Sequence, residues 1–360
     1  MAGLYIHIPF CKKRCLYCDF FSTTLLDRQE AYVGAVVKEI QKRQDEAGEP
    51  IRTVYIGGGT PSTLKKDAIS GINHVLTSTC IAEYTIEINP GDATSEYFRF
   101  LRTSGVNRLS IGIQSFQDEL LHLIGRRHNA AEAAEAVRMA QEAGFENISI
   151  DLMYALPTQT TAQWKADIET ALRLNVQHIS CYGLMYEEGT VMTWMRDKGE
   201  LTPIDEDTEN AMYDYLCERL EKAGFVHYEV SNFALPGHEA QHNGNYWNGT
   251  PYIGIGAGAH SYTGNVRSWN PDDIEEYIRG IEKGDLIRES ETLTSADLYN
   301  EQIMLGLRTR NGIPASLPQN RTVVERLIHD KLLRERENKR IVVTQKGLHV
   351  LNRIIEDLMI

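Results

Sequence analysis

The chain has 360 residues, with 37 Lys and Arg against 50 Asp and Glu, a net charge of −13. Apolar residues make up 42% and charged residues 24%, an ordinary globular composition that excludes a collagen-like, low-complexity or wholly disordered chain. The acidic balance also argues against a polyanion as main partner, because neutralising phosphates needs clustered Lys and Arg.

The opening MAGLYIHIPFCKKRC has no basic stretch ahead of its short apolar run. It reads as neither a signal peptide nor a membrane span, and no other stretch is long and apolar enough to be one. A cytoplasmic protein with reduced thiols is expected, where crowded cysteines bind metal or do redox work. Peripheral membrane contact and a homodimer stay open.

In chain order, β-rich runs fall at 4–8, 53–56, 84–88, 108–113, 148–153 and 178–182. Helical patterns lie between them at 28–47, 95–104, 118–124, 130–143 and 161–174. Gly105 and Gly144 follow two of these helices, as left-handed helix ends prefer. The alternation predicts right-handed parallel βαβ units, which suit an open doubly wound α/β sheet or a partial (β/α)6 barrel. Cys11, GGGTP at 57–61, Glu87 with Asn89 and Pro90, Gln114 with Ser115, and Asp151 all stand at or just past a strand's C-terminal end. Polar residues gathered along one rim are what a barrel site requires, whereas an open sheet places its site at one crevice. A partial barrel over 1–190 is expected.

Past Tyr186 the rhythm stops. A helix over 205–223 leads to an extended run at 228–233 and a Gly- and Asn-rich stretch at 238–261, read as a loop-rich second domain over 191–290. Residues 291–360 then run helix (299–308), helix (322–333), hairpin (RERENKRIVVT) and helix (345–358), which predicts a winged-helix-like domain. Residues 321–340 are locally basic, with seven Lys and Arg against four Asp and Glu; this reads as a solvated face rather than a nucleic-acid surface, which wants a denser stripe, and no nucleic acid is expected.

Cys11-x3-Cys15-x2-Cys18 puts three thiols on one loop after the first strand. Iron–sulfur cubanes take four thiolates, so three would leave one iron open to an exogenous ligand. Lys12, Lys13 and Arg14 would offset the negative charge. A zinc site would instead need its fourth ligand from His7, Asp19, Cys80, Cys181 or Cys217, none at a customary spacing. Those last three cysteines read more simply as small buried apolar residues.

This CxxxCxxC, with Tyr17 before its last Cys and GGGTP at the second strand, resembles the radical S-adenosylmethionine (SAM) superfamily. There SAM chelates the open iron through its amino and carboxylate groups. The preceding YIHIPFC is similar to the oxygen-independent coproporphyrinogen III oxidase family. That likeness continues through TIEINP, RLSIGIQSF, DLMYALP, GIGAGAHSY and MLGLRT, nearly the whole chain. The resemblance implies a [4Fe–4S] cluster on Cys11, Cys15 and Cys18, with Tyr5 and Tyr17 near it and its SAM. It implies that Gly57, Gly58 and Gly59 let the backbone approach the methionyl part of SAM, with Gly59 and Thr60 in contact. Glu87 would take the ribose hydroxyls, and Gln114, Arg126 and Asp151 match positions contacting a second SAM. Glu87 and Asp151 alternatively close a helix N-terminus or an internal salt bridge.

Three departures from the oxidase matter. Its signature continues to a further Cys, where this chain has Phe20; His260 stands for an aliphatic residue and Ala155 for Gly. In addition, HNGNYW at 242–247 reads HNxxYW and resembles the HemW-type haem chaperone branch. This resemblance implies that His242 holds haem, with Tyr246 and Trp247 as flat surfaces for the macrocycle; the plainer alternative is a tight loop stapled by His242. Two functions follow from the resemblance. One is a haem chaperone carrying cluster and SAM and passing haem to an unidentified acceptor protein. The other is the oxidase, in which a 5′-deoxyadenosyl radical starts the oxidative decarboxylation of two coproporphyrinogen propionates.

Overall fold

The structure is a computed structural model and describes residues 2–77, 80–285 and 288–360. Six strands, β1 (Ala2–Ile8), β2 (Ile51–Gly58), β3 (Glu83–Ile88), β4 (Arg108–Gln114), β5 (Ile148–Tyr154) and β6 (His178–Gly183), pair in parallel in sequence order. A doubly wound sheet would reverse its order part-way; an unreversed order with right-handed crossovers keeps the helices on one face and lets the sheet curl. The side chains follow that geometry with period two. Val54, Ile56, Ile86, Ile88, Leu109, Ile111, Ile113, Ile150 and Leu152 belong to one buried apolar core. The alternating Tyr55, Glu87, Arg108, Ser110, Asp151, Ser180 and Tyr182 border one shared cavity.

Crossover helices run over Gln29–Arg43, Lys66–Val75, Ser95–Thr103, Ala130–Glu142 and Thr161–Arg173. Asn129 with Glu132 and Thr160 with Gln163 form capping boxes that satisfy the first backbone N–H groups of two of them. The helix Lys66–Val75 had no counterpart in the sequence pattern. It is short and holds Gly71 and β-branched residues, weak helix formers, so burial of Ile69, Ile72 and Val75 decides it. The first helix ends at Arg43, short of 47.

The sheet continues at both edges. β7 (Val226–Glu229) and β8 (Asn232–Ala234) add antiparallel beyond β6. β9 (Tyr252–Ile255) adds parallel to β1, followed by antiparallel β10 (His260–Tyr262), β11 (Val266–Trp269) and β12 (Glu289–Thr292). Residues 238–261, read as loop, therefore hold the helix Gln241–Asn248 and strands of the main sheet. Their glycines serve close packing. A Cβ on Gly254 would lie 2.1 Å from the His260 carbonyl oxygen, and one on Gly256 (φ +101°) would lie 2.5 Å from the Tyr32 hydroxyl. A buried ion pair fastens this segment to the first helix. Arg43, paired with Glu39, donates to the Gly254 carbonyl and Ser261 Oγ, while Glu39 accepts from Gly256 N, Tyr277 and Asn270.

The C-terminal part has its own core, including Ile303, Leu307, Val324, Leu327, Ile341 and Ile354. Helix Ser295–Leu307, the short β13 (Ile313–Pro314) and helix Arg321–His329 lead to the hairpin of β14 (Leu333–Glu335) and β15 (Arg340–Val343), with β13 pairing to β15, then to helices Gln345–Leu348 and Leu351–Leu358. The helices and hairpin come in the expected order, with β13 added between the first two helices and the last helix broken at His349 and Val350. Among the described residues no helix is long and apolar enough to cross a membrane.

Candidate functional site

Beyond β1 the cysteine loop is pinned against GGGTP by backbone bonds. Gly59 N donates to the Ile8 carbonyl (2.9 Å), Thr60 N to the Phe10 carbonyl (2.8 Å) and Cys11 N to the Thr23 carbonyl (2.8 Å). Cys11, Cys15 and Cys18 all border a cavity of about 350 Å³ at the C-terminal mouth of the barrel, with Tyr17, Gly58, Gly59, Thr60, Glu87, Gln114, Arg126 and Asp151. The sulfurs meet donors: Thr60 Oγ1 donates to Cys11 Sγ (3.3 Å) and Arg126 Nη1 to Cys15 Sγ (3.4 Å). Burial raises the Cys11 thiol and pushes Cys18 up to about 11, a cost that a metal would reverse by taking the thiolate form.

Among the described residues no three His, Cys, Asp or Glu side chains are arranged to hold one metal ion. Of the zinc ligands considered, only Asp19 borders the cavity. His7 donates from Nε2 to the Phe21 carbonyl (2.9 Å) and accepts at Nδ1 from Tyr5 (3.0 Å). Three thiols around one void, with a guanidinium and a hydroxyl on the sulfurs, fit a cluster that leaves one iron open.

The sequence-expected contacts separate in space. Gly58 and Gly59 border the cavity, but Gly57 and Tyr5 do not. The three glycines lie tight against protein atoms: a Cβ on Gly57 would lie 2.7 Å from the Tyr55 ring, on Gly58 (φ +115°) 2.6 Å from the His7 ring, and on Gly59 2.8 Å from the Pro9 carbonyl carbon. Tyr5 supports that wall through His7. Gln114 takes a left-handed φ of 74° at the register shift in β4, which turns it into the cavity. Phe20, 63% exposed, stands at the mouth with Met185, 68% exposed. His260 lies away from the cavity, stacked on Trp269.

Glu87 accepts from Tyr55 (2.8 Å) and from Gly58 N (3.1 Å). Burial pushes its carboxyl up to about 7, helped by the neighbouring Asp151 charge and opposed by those two bonds. Burial likewise lifts Asp151 to about 6, against hydrogen bonds from Ser180 and Ser110 and the charges of Arg108 and Arg126. Sequence reading passed over Tyr55, Arg108, Ser110, Ser180 and Tyr182; the period-two alternation along β2, β4 and β6 was the signal for them.

HNxxYW lies at the opposite end of the barrel. The helix Gln241–Asn248 meets the N-terminal ends of the first strands, and Glu83 of β3 caps it by accepting from Gln241 N (2.9 Å) and His242 N (2.8 Å). His242 is fully buried and stacks on Tyr55 at 5.3 Å. Its Nδ1 bonds Thr53 Oγ1 (2.9 Å) and its Nε2 bonds the Tyr246 hydroxyl (3.0 Å). Burial, then Arg108, pushes its pKa down to about 3, so the ring is neutral. Both ring nitrogens of His242, the residue the resemblance assigns to haem, are thus hydrogen-bonded within the protein. Tyr246 and Trp247 instead border a second cleft of about 990 Å³, with Tyr252, Tyr262, the helix Ser295–Leu307 and Arg310.

A radical SAM superfamily profile matches residues 5–171. The chain is 37% identical to the "Heme chaperone HemW" of Lactococcus lactis subsp. lactis, over 99% of this chain and 97% of that one. It is 39% identical to the protein of the same name from Bacillus subtilis, over 87% and 85%. The chain belongs to the HemW family of radical SAM proteins. Among solved structures, the chain is similar to coproporphyrinogen III oxidase (HemN) from Escherichia coli, with a TM-score of 0.85 and 25% identity over 99% of this chain and 90% of that one. The HemN likeness supports a shared barrel, and the Lactococcus lactis relative matches nearly the whole length.

Proposed function

We propose that the chain is a cytoplasmic haem chaperone that carries a [4Fe–4S] cluster on Cys11, Cys15 and Cys18, binds SAM beside it, and passes haem to an acceptor protein. The observation that carries the reading is end-to-end kinship with proteins named as haem chaperones. The site residues support it. Gly58, Gly59 and Thr60 border the cavity that the thiols border, Glu87 and Asp151 offer acceptors for a ribose diol, and Gln114 and Arg126 line the same void. When bound, cluster and SAM supply one-electron chemistry, and the chain's own part is to position them and hold water out.

The HemN likeness keeps the oxidase as a second reading, but Phe20 replaces the oxidase's further Cys. Two assays on anaerobically purified protein decide between them. Added ferric haem is expected to give a stable complex from which an apo acceptor takes haem. Coproporphyrinogen III with SAM and a strong reductant is expected to remain unconverted; robust protoporphyrinogen formation would sink the chaperone reading.

A further inference from the structure

We infer that Asp92 is a positioning residue for the cluster: its one carboxylate ties together three chain segments that wall the thiols and holds Cys11 and Cys15 where the cluster needs them. The inference rests on the reading of Cys11, Cys15 and Cys18 as cluster ligands and names what keeps them in place.

Asp92 lies just past β3, in the short turn Pro90–Asp92, and its side chain is only 2% exposed. Neither Asp92 nor Lys12 borders the mouth cavity, so the carboxylate acts from behind the wall. Of the three cations in the cysteine loop, Lys13 and Arg14 border the cavity, whereas Lys12, next to Cys11, donates to Asp92 Oδ1 (2.7 Å). The other oxygen accepts from Arg127 Nη2 (2.7 Å) and from the Ser62 hydroxyl (3.3 Å). Each partner adjoins a piece of the site. Arg127 follows Arg126, whose guanidinium donates to Cys15 Sγ and to the Gly112 carbonyl. Ser62 follows GGGTP, and its oxygen also accepts from Asn89 N (3.0 Å).

Between Cys11 and Cys18 the chain forms no helix or strand, so tertiary contacts set where its sulfurs stand. Burial alone would raise the Asp92 carboxyl, but Arg127 and Lys12 outweigh it and hold it below the ordinary carboxylate range. An ionised acceptor makes hydrogen bonds about twice as strong as a neutral one. The side chains of Lys12 and Arg127 are 48% and 23% exposed, so water can take over both cations if the carboxylate is removed. The damage then falls on the loop rather than on the fold.

The test uses full-length protein reconstituted anaerobically with iron and sulfide. It reads the rate at which a chelator removes iron, at a temperature where circular dichroism shows every variant folded. Loss of a group behind a metal ligand typically costs about 10–100-fold in metal affinity. Asp92→Asn is therefore expected to speed iron release about tenfold or more, and Asp92→Glu, which keeps the charge, to recover part of it. Lys12→Met and Arg127→Met should each speed release by less, since each leaves the other arm in place, and they keep the test alive if Asp92→Asn folds poorly. Glu96→Gln, which breaks an exposed pair with Lys66, should stay within about twofold of wild type. The electron paramagnetic resonance of the reduced cluster adds a readout that lost stability alone would not move. Its g-values should shift in Arg127→Met, as Arg126 loosens on Cys15, and not in Glu96→Gln. The inference is overturned if Asp92→Asn releases iron at the wild-type rate, or if Lys12→Met and Arg127→Met both match wild type. Unmoved g-values in Arg127→Met would overturn the arm through Arg126. Wild-type protein that takes up no iron and sulfide would instead bring down the cluster reading itself.

Discussion

The two cavities of this chain are assembled by opposite means. The mouth cavity takes side chains from successive parallel strands, at alternate positions along each, so its residues recur from one βα unit to the next. The cleft takes a helix after the barrel, the β9–β10 edge and the first helix of the C-terminal part, segments with no common repeat. The mouth is a property of the barrel, and the cleft is a property of how the later segments fold back under it. The helix Gln241–Asn248 is the wall between them: Asn243 borders the mouth cavity, while Tyr246 and Trp247 border the cleft.

Breaking one side should spare the other, and the clearest break is at the thiols. Cys15→Ala is expected to lose nearly all cluster iron while keeping the fold; iron and sulfide analysis checks it, and a variant with full iron would void the site assignment. Next in size is Arg43→Met, which strands the buried Glu39 carboxylate and should cost about 3–5 kcal/mol of stability by denaturant unfolding. Gly58→Ala should cost about 1–3 kcal/mol through its left-handed backbone, push His7 aside and weaken SAM binding. Equal SAM affinity in an equilibrium dialysis would show that the loop tolerates the shift.

The smallest effect is one of pH. Glu87 is raised from 4.5 to about 7 in the folded chain, so the folded state holds that proton more tightly than the unfolded one. Stability is then lost as pH rises from about 4.5 to about 7 and is level above. Glu87→Gln should abolish that loss, because the amide does not titrate in either state. Thermal melts of both proteins between pH 5 and 8 would reveal it, and parallel curves would mean that Glu87 is solvated in the mouth.

Much of the mouth was legible beforehand because strand ends and period-two alternation are local properties. Cys11, Glu87 and Asp151 could be put on one rim without coordinates. Tyr5 and Gly57 show the limit of that reasoning: both stand on the right strands, yet close packing of the GGGTP loop against His7 and Pro9 keeps them out of the void. The glycines of GIGAGAHSY misled more strongly. They read as loop, whereas they let β9 and β10 pass within backbone contact of each other and of Tyr32.

By itself, then, the sequence determined six parallel strands, a three-thiol loop beyond the first, and a helical C-terminal part with a small wing. Each of these follows from spacing along the chain. Which way HNxxYW faces was decided only in three dimensions. β9 pairs with β1, Glu83 caps the helix that precedes it, and Gly3 leaves room for one ring, so His242 turns into the core and Tyr246 and Trp247 turn to the cleft. The Tyr246 partner is local, but no local pattern encodes that choice, because Thr53, Tyr55 and the space beside Gly3 that seat the imidazole lie far away in the chain, in the first strands of the barrel.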